Sequence, residues 1–186
     1  MKPIPLLLLC FLLLACKKTT HEVAQYSIDQ FYKNIQIAGG EFSADETKLL
    51  VTSDKSGIAN VYEISIGDTS MRPLTQSTVE SFWCIDYVYG TNKILYSADK
   101  GGNEINHIYL LNEDGTSQDL TPAENEKAGF AGWHRDKKTM YFTSNKRDPQ
   151  FFDFYKMSVS DWKPVLIYEY KDGLDIAGIS DDESTL

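Results

Sequence analysis

The chain has 186 residues, the length of one domain with a short extension, and 42% of them are apolar and 12% aromatic. This composition supports a buried core and excludes an intrinsically disordered chain. Eighteen Lys and Arg residues against 27 Asp and Glu residues give a net charge of −9. Proteins that bind nucleic acid normally carry the opposite sign, so we expect no nucleic-acid partner.

Residues 1–15 have the character of an export signal, with a basic start at Lys2 and an apolar run of about a dozen residues. A helix of that length is too short to span a bilayer. The run ends in Leu-Leu-Ala-Cys, which resembles the bacterial lipobox, and the resemblance implies that Cys16 is lipidated. The alternative is an ordinary signal peptide in which Cys16 has no role. Residues 16–34 then form a tether and lead-in, and we expect a lipid anchor in the cell envelope, at the outer membrane or periplasmic face.

The body of the chain, residues 35–186, repeats with a period of roughly 46 residues. In each repeat an apolar segment leads through small hydroxyl residues into an Asx-Lys turn. The Asx residues are Asp54, Asp99 and Asn145, which stand 45 and 46 positions apart. Regular spacing of this kind indicates a repeat architecture.

Two further markers keep the same register. Leu-Thr pairs occur at 74–75 and 120–121, 46 positions apart. A turn ahead of the apolar segment carries Asp45, Asp136 and Asp182, of which the last two are again 46 apart. Each of these aspartates is expected to have a structural role, because a carboxylate in a turn accepts nearby backbone N–H groups.

Within each period, apolar and polar residues alternate in short segments separated by Gly and Asx turns, which is typical of β-strands. A period of 40 to 50 residues with about four strands is typical of a β-propeller blade. We therefore predict an all-β chain with about three and a half four-stranded repeats, an incomplete propeller. An ordinary β-sandwich is the alternative. The best helical candidate is residues 23–32. The predicted blades cover residues 40–80, 81–126 and 127–172, and a further blade starts at 173–186.

Residues 43–54 and 72–75 resemble the propeller repeat shared by TolB-like proteins and the prolyl-oligopeptidase family. That repeat runs Ser-Pro-Asp-Gly-Lys, strand, Ser-Asp, a Tyr-containing strand and Leu-Thr, and here Ala44 replaces the Pro and Glu46 the Gly. Residues 26–186 as a whole resemble the N-terminal propeller of lipoprotein members of the prolyl-oligopeptidase family of serine peptidases.

The resemblance implies an α/β-hydrolase domain after the propeller, in which a Gly-x-Ser-x-Gly elbow carries the nucleophile. Such an elbow does not occur in this sequence, and Ser180 in Gly-Ile-Ser-Asp-Asp lacks the second Gly. We expect a fragment without catalytic residues, whose propeller limits access of peptide substrates to the missing domain. The alternative is a non-enzymatic TolB-like lipoprotein that binds peptides or envelope proteins. A sugar-cleaving propeller is disfavoured, because the recurring carboxylates lie in turns.

Lys146 and Arg147, next to Asp148-Pro149, form the candidate contact loop. Cations beside a turn can meet a substrate carboxylate or a partner domain, and a solvated loop is the alternative.

No metal site and no cofactor is expected. The three histidines and Cys84, the single cysteine after Cys16, lack metal-ligand spacing. Asp172, Asp175 and residues 181–183 lack the alternating order of a calcium loop and are expected to be solvated. The large aromatic residues are expected mostly to fill the spaces between blades. They are Phe82, Trp83, Phe130, Trp133, Phe151, Phe152 and Trp162.

Overall fold

Three four-stranded antiparallel sheets make up the body of the chain. They are seen in a computed structural model that describes residues 23–171, 173, 176 and 178–185. In each sheet the strands follow one another in chain order, so every sheet is a meander. The prediction of an all-β fold built from four-stranded repeats is confirmed, and the three sheets are blades of an incomplete propeller.

The strands have the following bounds. The first sheet contains β1 (Ile37–Phe42), β2 (Lys48–Ser53), β3 (Asn60–Ser65) and β4 (Met71–Pro73). The second contains β5 (Phe82–Tyr87), β6 (Ile94–Ala98), β7 (His107–Leu111) and β8 (Ser117–Asp119). The third contains β9 (Ala128–Trp133), β10 (Thr139–Asp148), β11 (Phe151–Ser158) and β12 (Pro164–Tyr168).

A separate N-terminal unit ends at Asn34, and its described part contains one short helix, α1 (Ile28–Tyr32). Ser27 caps this helix: its hydroxyl accepts the N–H of Gln30 at 3.3 Å, while the Gln30 side chain accepts the N–H of Ser27 at 2.7 Å. This reciprocal pair is a capping box. The helix lies within the segment with the strongest helical pattern.

The first strand of each sheet contains a bulge at the same place in the repeat. The pairing with the second strand shifts at Gly39-Gly40 in β1, at Ile85 in β5 and at Ala131 in β9. An extra residue bends a strand and increases its twist. The roughly 46-residue period is therefore present in the backbone irregularities as well as in the sequence.

Two apolar layers hold the sheets together. One layer lies between the first and second sheets and includes Leu50, Val61 and Ile94. The other lies between the second and third sheets and includes Phe142 and Met157. Each blade therefore packs its face on the next blade, and burial of these apolar faces is the main stabilising contribution.

The Leu-Thr marker has a structural cause in the first two sheets. The hydroxyl of Thr75 accepts the backbone N–H of Val61 at 2.9 Å, and the hydroxyl of Thr121 accepts the N–H of Ile108 at 3.0 Å. Both threonines are buried. A threonine at this position therefore satisfies a buried N–H of the third strand where the chain leaves the fourth.

Candidate functional site

The hairpin that joins β10 to β11 carries both cations of the candidate contact loop. These two strands have 10 and 8 residues, whereas the strands of the first two sheets have three to six. Asp148 pairs with Phe151, and the Asp148 carboxylate accepts the N–H of Gln150 at 2.9 Å, which closes the turn. The pairing shifts between Ser144 and Asp148, so the cations lie in an irregular part of β10.

Arg147 is bound by a buried carboxylate. Its Nε and Nη2 atoms donate to the two oxygens of Asp153 at 2.7 and 2.8 Å, and Nη1 lies 3.5 Å from Glu169 Oε1. Asp153 is fully buried, whereas the Arg147 side chain is 33% exposed. The hydrogen bonds from Arg147, helped by the N–H of Tyr170, lower the pKa of Asp153. A two-point pair of this kind fixes the guanidinium in one orientation.

Lys146 differs from Arg147 in its surroundings. Its side chain is exposed and forms no ion pair within the part of the chain that the structure describes. Its backbone N–H donates to the Ser144 hydroxyl at 3.0 Å, which fixes the backbone but leaves the ammonium group solvated. Among the described residues, Lys146 is therefore the cation of the two that has no counter-charge.

A second buried carboxylate lies under the same hairpin. Glu126 is 3% exposed, and its Oε1 atom accepts the hydroxyl of Ser144 at 2.6 Å. Its Oε2 atom is buried and has no hydrogen-bond partner among the described residues. Burial, followed by the charges of Asp153 and Glu126, raises the pKa of Tyr155. The base of the hairpin therefore buries two carboxyl groups, and Arg147 pairs with one of them, Asp153.

Sequence reasoning did not single out Asp153, although its position carries a repeat signal. Asn60 and His107 hold the equivalent place at the start of the third strand in the other sheets, and all three side chains are buried. Each of these three side chains forms a hydrogen bond with the fourth strand of its sheet or with the segment just after that strand. Asn60 accepts the N–H of Ser77 at 2.8 Å, His107 Nδ1 lies 2.7 Å from Asp119, and Asp153 accepts the N–H of Tyr170 at 2.9 Å. The sequence signal that could have identified Asp153 is a polar residue just ahead of the apolar part of the third strand in every repeat.

The turn aspartates do not lie near this hairpin. Asp45 and Asp136 lie in the turns between the first and second strands of their sheets, and Asp182 lies in the turn at 180–183. Asp45 accepts the N–H of Thr47 at 3.1 Å and the hydroxyls of Ser43 and Thr47. Asp182 accepts the N–H of Ser184 at 3.1 Å in the same way. Hydrogen bonds from side chains, above all from the preceding serine, lower the pKa of Asp45 and of Asp182 to about 2.

Asp136 accepts the N–H groups of Lys138 and Thr139 at 2.8 and 3.0 Å. Burial opposes ionisation of Asp136, but these hydrogen bonds and that of His134 outweigh it and lower its pKa. The residue that follows each turn aspartate has left-handed backbone geometry. The residues are Glu46, Lys137 and Glu183, each with a φ of 56°. In the propeller repeat that this chain resembles, Gly occupies this position. The backbone of these three residues is therefore strained.

The acidic residues near the end of the chain are only partly solvated. Asp181 and Asp182 are exposed, but Glu183 pairs with Lys156 and accepts the hydroxyl of Tyr141 at 2.9 Å. The expectation of solvated turn residues is therefore wrong for Glu183. The Glu183 side chain lies against the third sheet, where Lys156 and Tyr141 bind it. Asp172 and Asp175 lie outside the described residues.

Exposure of three aromatic residues differs from the expectation. Trp83, Phe151 and Phe152 are exposed, whereas Trp133 packs on the core and donates its indole N–H to Asp86 at 2.9 Å. Side chains alternate along a strand, so Trp83 lies on the face opposite its core-packed neighbours in β5. Phe151 and Phe152 belong to the part of β11 that extends with the hairpin.

Cys16, together with the predicted leader, lies outside the described residues. Within residues 23–171, 173, 176 and 178–185, no helix combines the length and the apolar character needed to cross a membrane.

The two described histidines have no nucleophile beside them. His107 and His134 contact carboxylates and backbone groups, and within the described residues neither forms a hydrogen bond with a serine or cysteine. A nucleophile activated by a base is therefore missing from this part of the chain. The fold and the site together define a class: a propeller segment with an ordered, cation-bearing hairpin.

Comparison with known proteins gives the family. Residues 90–183 match the family described as Dipeptidyl peptidase IV (DPP IV) N-terminal region, and the chain belongs to this family. It is 30% identical over 162 residues to dipeptidyl aminopeptidase BIII of Pseudoxanthomonas mexicana, covering 85% of this chain and 23% of that protein. The chain thus spans about a quarter of the length of this relative, and it is similar to the propeller region of the prolyl-oligopeptidase and dipeptidyl-peptidase families.

Solved structures agree on the fold. A prolyl endopeptidase superposes with a TM-score of 0.58 at 11% identity, covering 77% of this chain and 24% of that one. TolB from Acinetobacter baumannii superposes with a TM-score of 0.53 at 16% identity, covering 80% of this chain and 36% of that one. At such identities the likeness concerns the propeller architecture alone.

Proposed function

We propose that this chain is the substrate-gating propeller segment of an exported, lipid-anchored serine peptidase. Catalysis would come from an α/β-hydrolase domain in the complete protein, and the substrates would be short peptides. The observation that carries the proposal is membership of the dipeptidyl peptidase IV N-terminal region family, together with the absence of a Gly-x-Ser-x-Gly elbow from these 186 residues.

The hairpin gives the gate a concrete feature. Arg147 is held by a buried carboxylate and yet keeps 33% of its side chain exposed, so it can offer an oriented N–H group to a peptide carbonyl or carboxylate. Because Asp153 holds the guanidinium, little side-chain entropy is lost when a ligand binds. Lys146 adds an uncompensated positive charge beside it. Both cations would act in binding, and neither would act as an acid or base.

Expression of the complete gene product tests the proposal. We expect labelling by a fluorophosphonate and hydrolysis of short peptidyl anilides, with little cleavage of an unfolded protein such as casein. Absence of both labelling and hydrolysis would refute the peptidase function and favour a non-enzymatic binding propeller.

Arg147→Gln tests the role of the hairpin, and Arg135→Gln is its matched control. Arg135 is also an exposed arginine in an ion pair, with Asp181, but it lies in the turn between β9 and β10. We expect the Arg147 variant to raise KM about tenfold with a smaller change in kcat, as for loss of a charge-assisted hydrogen bond. Equal kinetics of the two variants would contradict a role for Arg147 in substrate binding.

Cys16→Ser tests the anchor, and Cys10→Ser is its control, because Cys10 lies inside the apolar run of the leader. Incorporation of labelled palmitate should disappear only in the Cys16 variant, and that variant should leave the membrane fraction. Palmitate labelling that persists in Cys16→Ser would exclude lipidation at this residue.

A further inference from the structure

A cleft between the second and third sheets has the features of a binding site. It has a volume of about 410 Å³, within the range of small-ligand sites, and is open to solvent. Two aromatic side chains line it, Trp83 at 49% and Phe152 at 43% exposure. Two large aromatic side chains exposed in one cleft offer apolar area that a ligand can cover.

The one charged residue in the lining of the cleft is a lysine, although the chain is acidic. Its lining contains one charged side chain, Lys127, and this lysine forms no ion pair within the described residues of a chain whose net charge is −9. The backbone around it is fixed, since the Lys127 N–H donates to Asn145 Oδ1 at 2.6 Å and its carbonyl accepts the Asn145 N–H at 3.2 Å. The backbone that carries the Lys127 side chain is therefore held in place at the wall of the cleft.

The floor of the cleft is shaped by a glycine. Gly129 lies in β9 opposite Thr143, and the Thr143 hydroxyl donates to the Gly129 carbonyl at 3.4 Å. A side chain at Gly129 would place its Cβ only 3.3 Å from that hydroxyl oxygen. Because Gly129 has no side chain, this part of the lining takes up no room in the cleft.

We propose that this cleft binds the C-terminal residue of a short peptide, with an aromatic or large aliphatic side chain between Trp83 and Phe152 and the terminal carboxylate on Lys127. Peptide as the ligand class rests on the proposed function. The carboxylate is inferred from the charge of the lining, and the apolar side chain from the two aromatic walls. Phe152 is the second residue of β11, so it belongs to the same hairpin as Arg147.

Calorimetric titration of the complete protein, treated with a fluorophosphonate to block any active-site serine, tests this site. The probes are the tripeptide Ala-Ala-Phe as free acid, the same peptide as C-terminal amide, and Ala-Ala-Ala as free acid. We expect the first to bind at least tenfold more tightly than either of the others. No measurable binding of the free acid, or equal binding of acid and amide, would overturn the proposal.

Variants assign the contacts. Trp83→Ala and Phe152→Ala should each weaken binding of the free acid about tenfold. Tyr89→Ala should not, because Tyr89 is an exposed aromatic residue that follows β5 and does not line the cleft. Lys127→Gln should weaken the free acid to the level of the amide and leave the amide unchanged. Both aromatic groups are about half exposed, so their removal leaves no internal cavity. Equal loss in Tyr89→Ala would contradict the site.

Two further outcomes separate the alternatives. Concentration-dependent dimerisation in sedimentation velocity that Trp83→Ala abolishes, without peptide binding, would identify a second copy as the occupant and overturn the proposal. Peptide binding with the expected variant pattern in a protein that has no hydrolase activity would support the cleft and refute the peptidase. The two failures are therefore distinguishable.

Discussion

Asp153→Asn should destabilise the protein by about 2 kcal/mol. The substitution keeps an acceptor for the Tyr170 N–H, now 2.9 Å from Oδ1, but removes the charge that receives two hydrogen bonds from Arg147. Hydrogen bonds to charged groups contribute roughly 1.5–3 kcal/mol each. Arg147 is 33% exposed and regains water when the pair is broken, so the loss is smaller than the sum of two such bonds. The amide also fits, since Asn60 holds the equivalent place in the first sheet.

Equilibrium urea denaturation of Asp153→Asn, Arg147→Gln and the double variant measures the coupling. Arg147→Gln alone leaves a fully buried carboxylate without its cation, so it should cost more, about 3 kcal/mol. The double variant removes both charges and should be more stable than the sum of the two losses predicts, by about 1–2 kcal/mol. A loss below 0.5 kcal/mol for Asp153→Asn, or strict additivity, would refute the reasoning.

The same pair has a pH signature. The pKa of Asp153 is lowered in the folded protein, chiefly by the hydrogen bonds from Arg147. The pair therefore contributes fully above the unfolded-state pKa of about 3.9, and the contribution is lost as the pH falls through the lower folded-state pKa. The stability difference between wild type and Asp153→Asn should be constant from pH 5 to 7 and should shrink below pH 4.

Glu46→Gly should raise the free energy of unfolding by about 0.5 kcal/mol, because Glu46 has a φ of 56° and relief of that strain exceeds the added freedom of the unfolded chain; a lower urea midpoint would contradict this. Gly39→Ala should cost about 2 kcal/mol in the same assay, since Gly39 has a φ of 74° and a Cβ there would lie 2.7 Å from Cys84 Sγ; a neutral result would show that the bulge yields easily. The pKa of His134 is raised, foremost by its hydrogen bond to the Asp181 carbonyl, so the stability that protonated His134 contributes is fully present below about pH 6.5 and is lost as the pH rises through the folded-state pKa. Hydrogen exchange in the turn that contains Asp181, corrected for its intrinsic rate, should accelerate over that interval, and His134→Gln should abolish the step.

The repeat could be predicted from sequence because local hydrogen bonds demand particular residue types. A buried strand N–H is satisfied by Thr75 in one blade and Thr121 in the next, and a turn N–H is satisfied by Asp45 or Asp182. Where the same hydrogen bond is made in each blade, the same residue type recurs, and the period of the repeat becomes visible in the sequence. The fold class followed from these markers, whereas the lipid attachment at Cys16 stays a prediction.

The base of the hairpin could not be predicted in this way, since its repeat position holds three different chemistries. Three buried residues occupy this position of the repeat, Asn60, His107 and Asp153. Because they are of three different types, a search for a residue type that recurs does not find them. The exposure of Trp83 and Phe152 was missed for another reason. Whether an aromatic residue in a strand is covered depends on the neighbouring blade and on how far a hairpin extends, which are tertiary properties.

The long hairpin and the buried charge of the third blade are one structural feature. An amide such as Asn60 is satisfied by nearby hydroxyls and backbone groups, and short strands suffice. A carboxylate at the same place requires a cation, and Arg147 reaches it only because β10 continues several residues past the point where the second strands of the other sheets end. Shortening that hairpin while keeping Asp153 would therefore leave a buried charge without its partner. Arg147 is thus held in place by the folding of the blade, so its orientation is as well defined as the sheet itself.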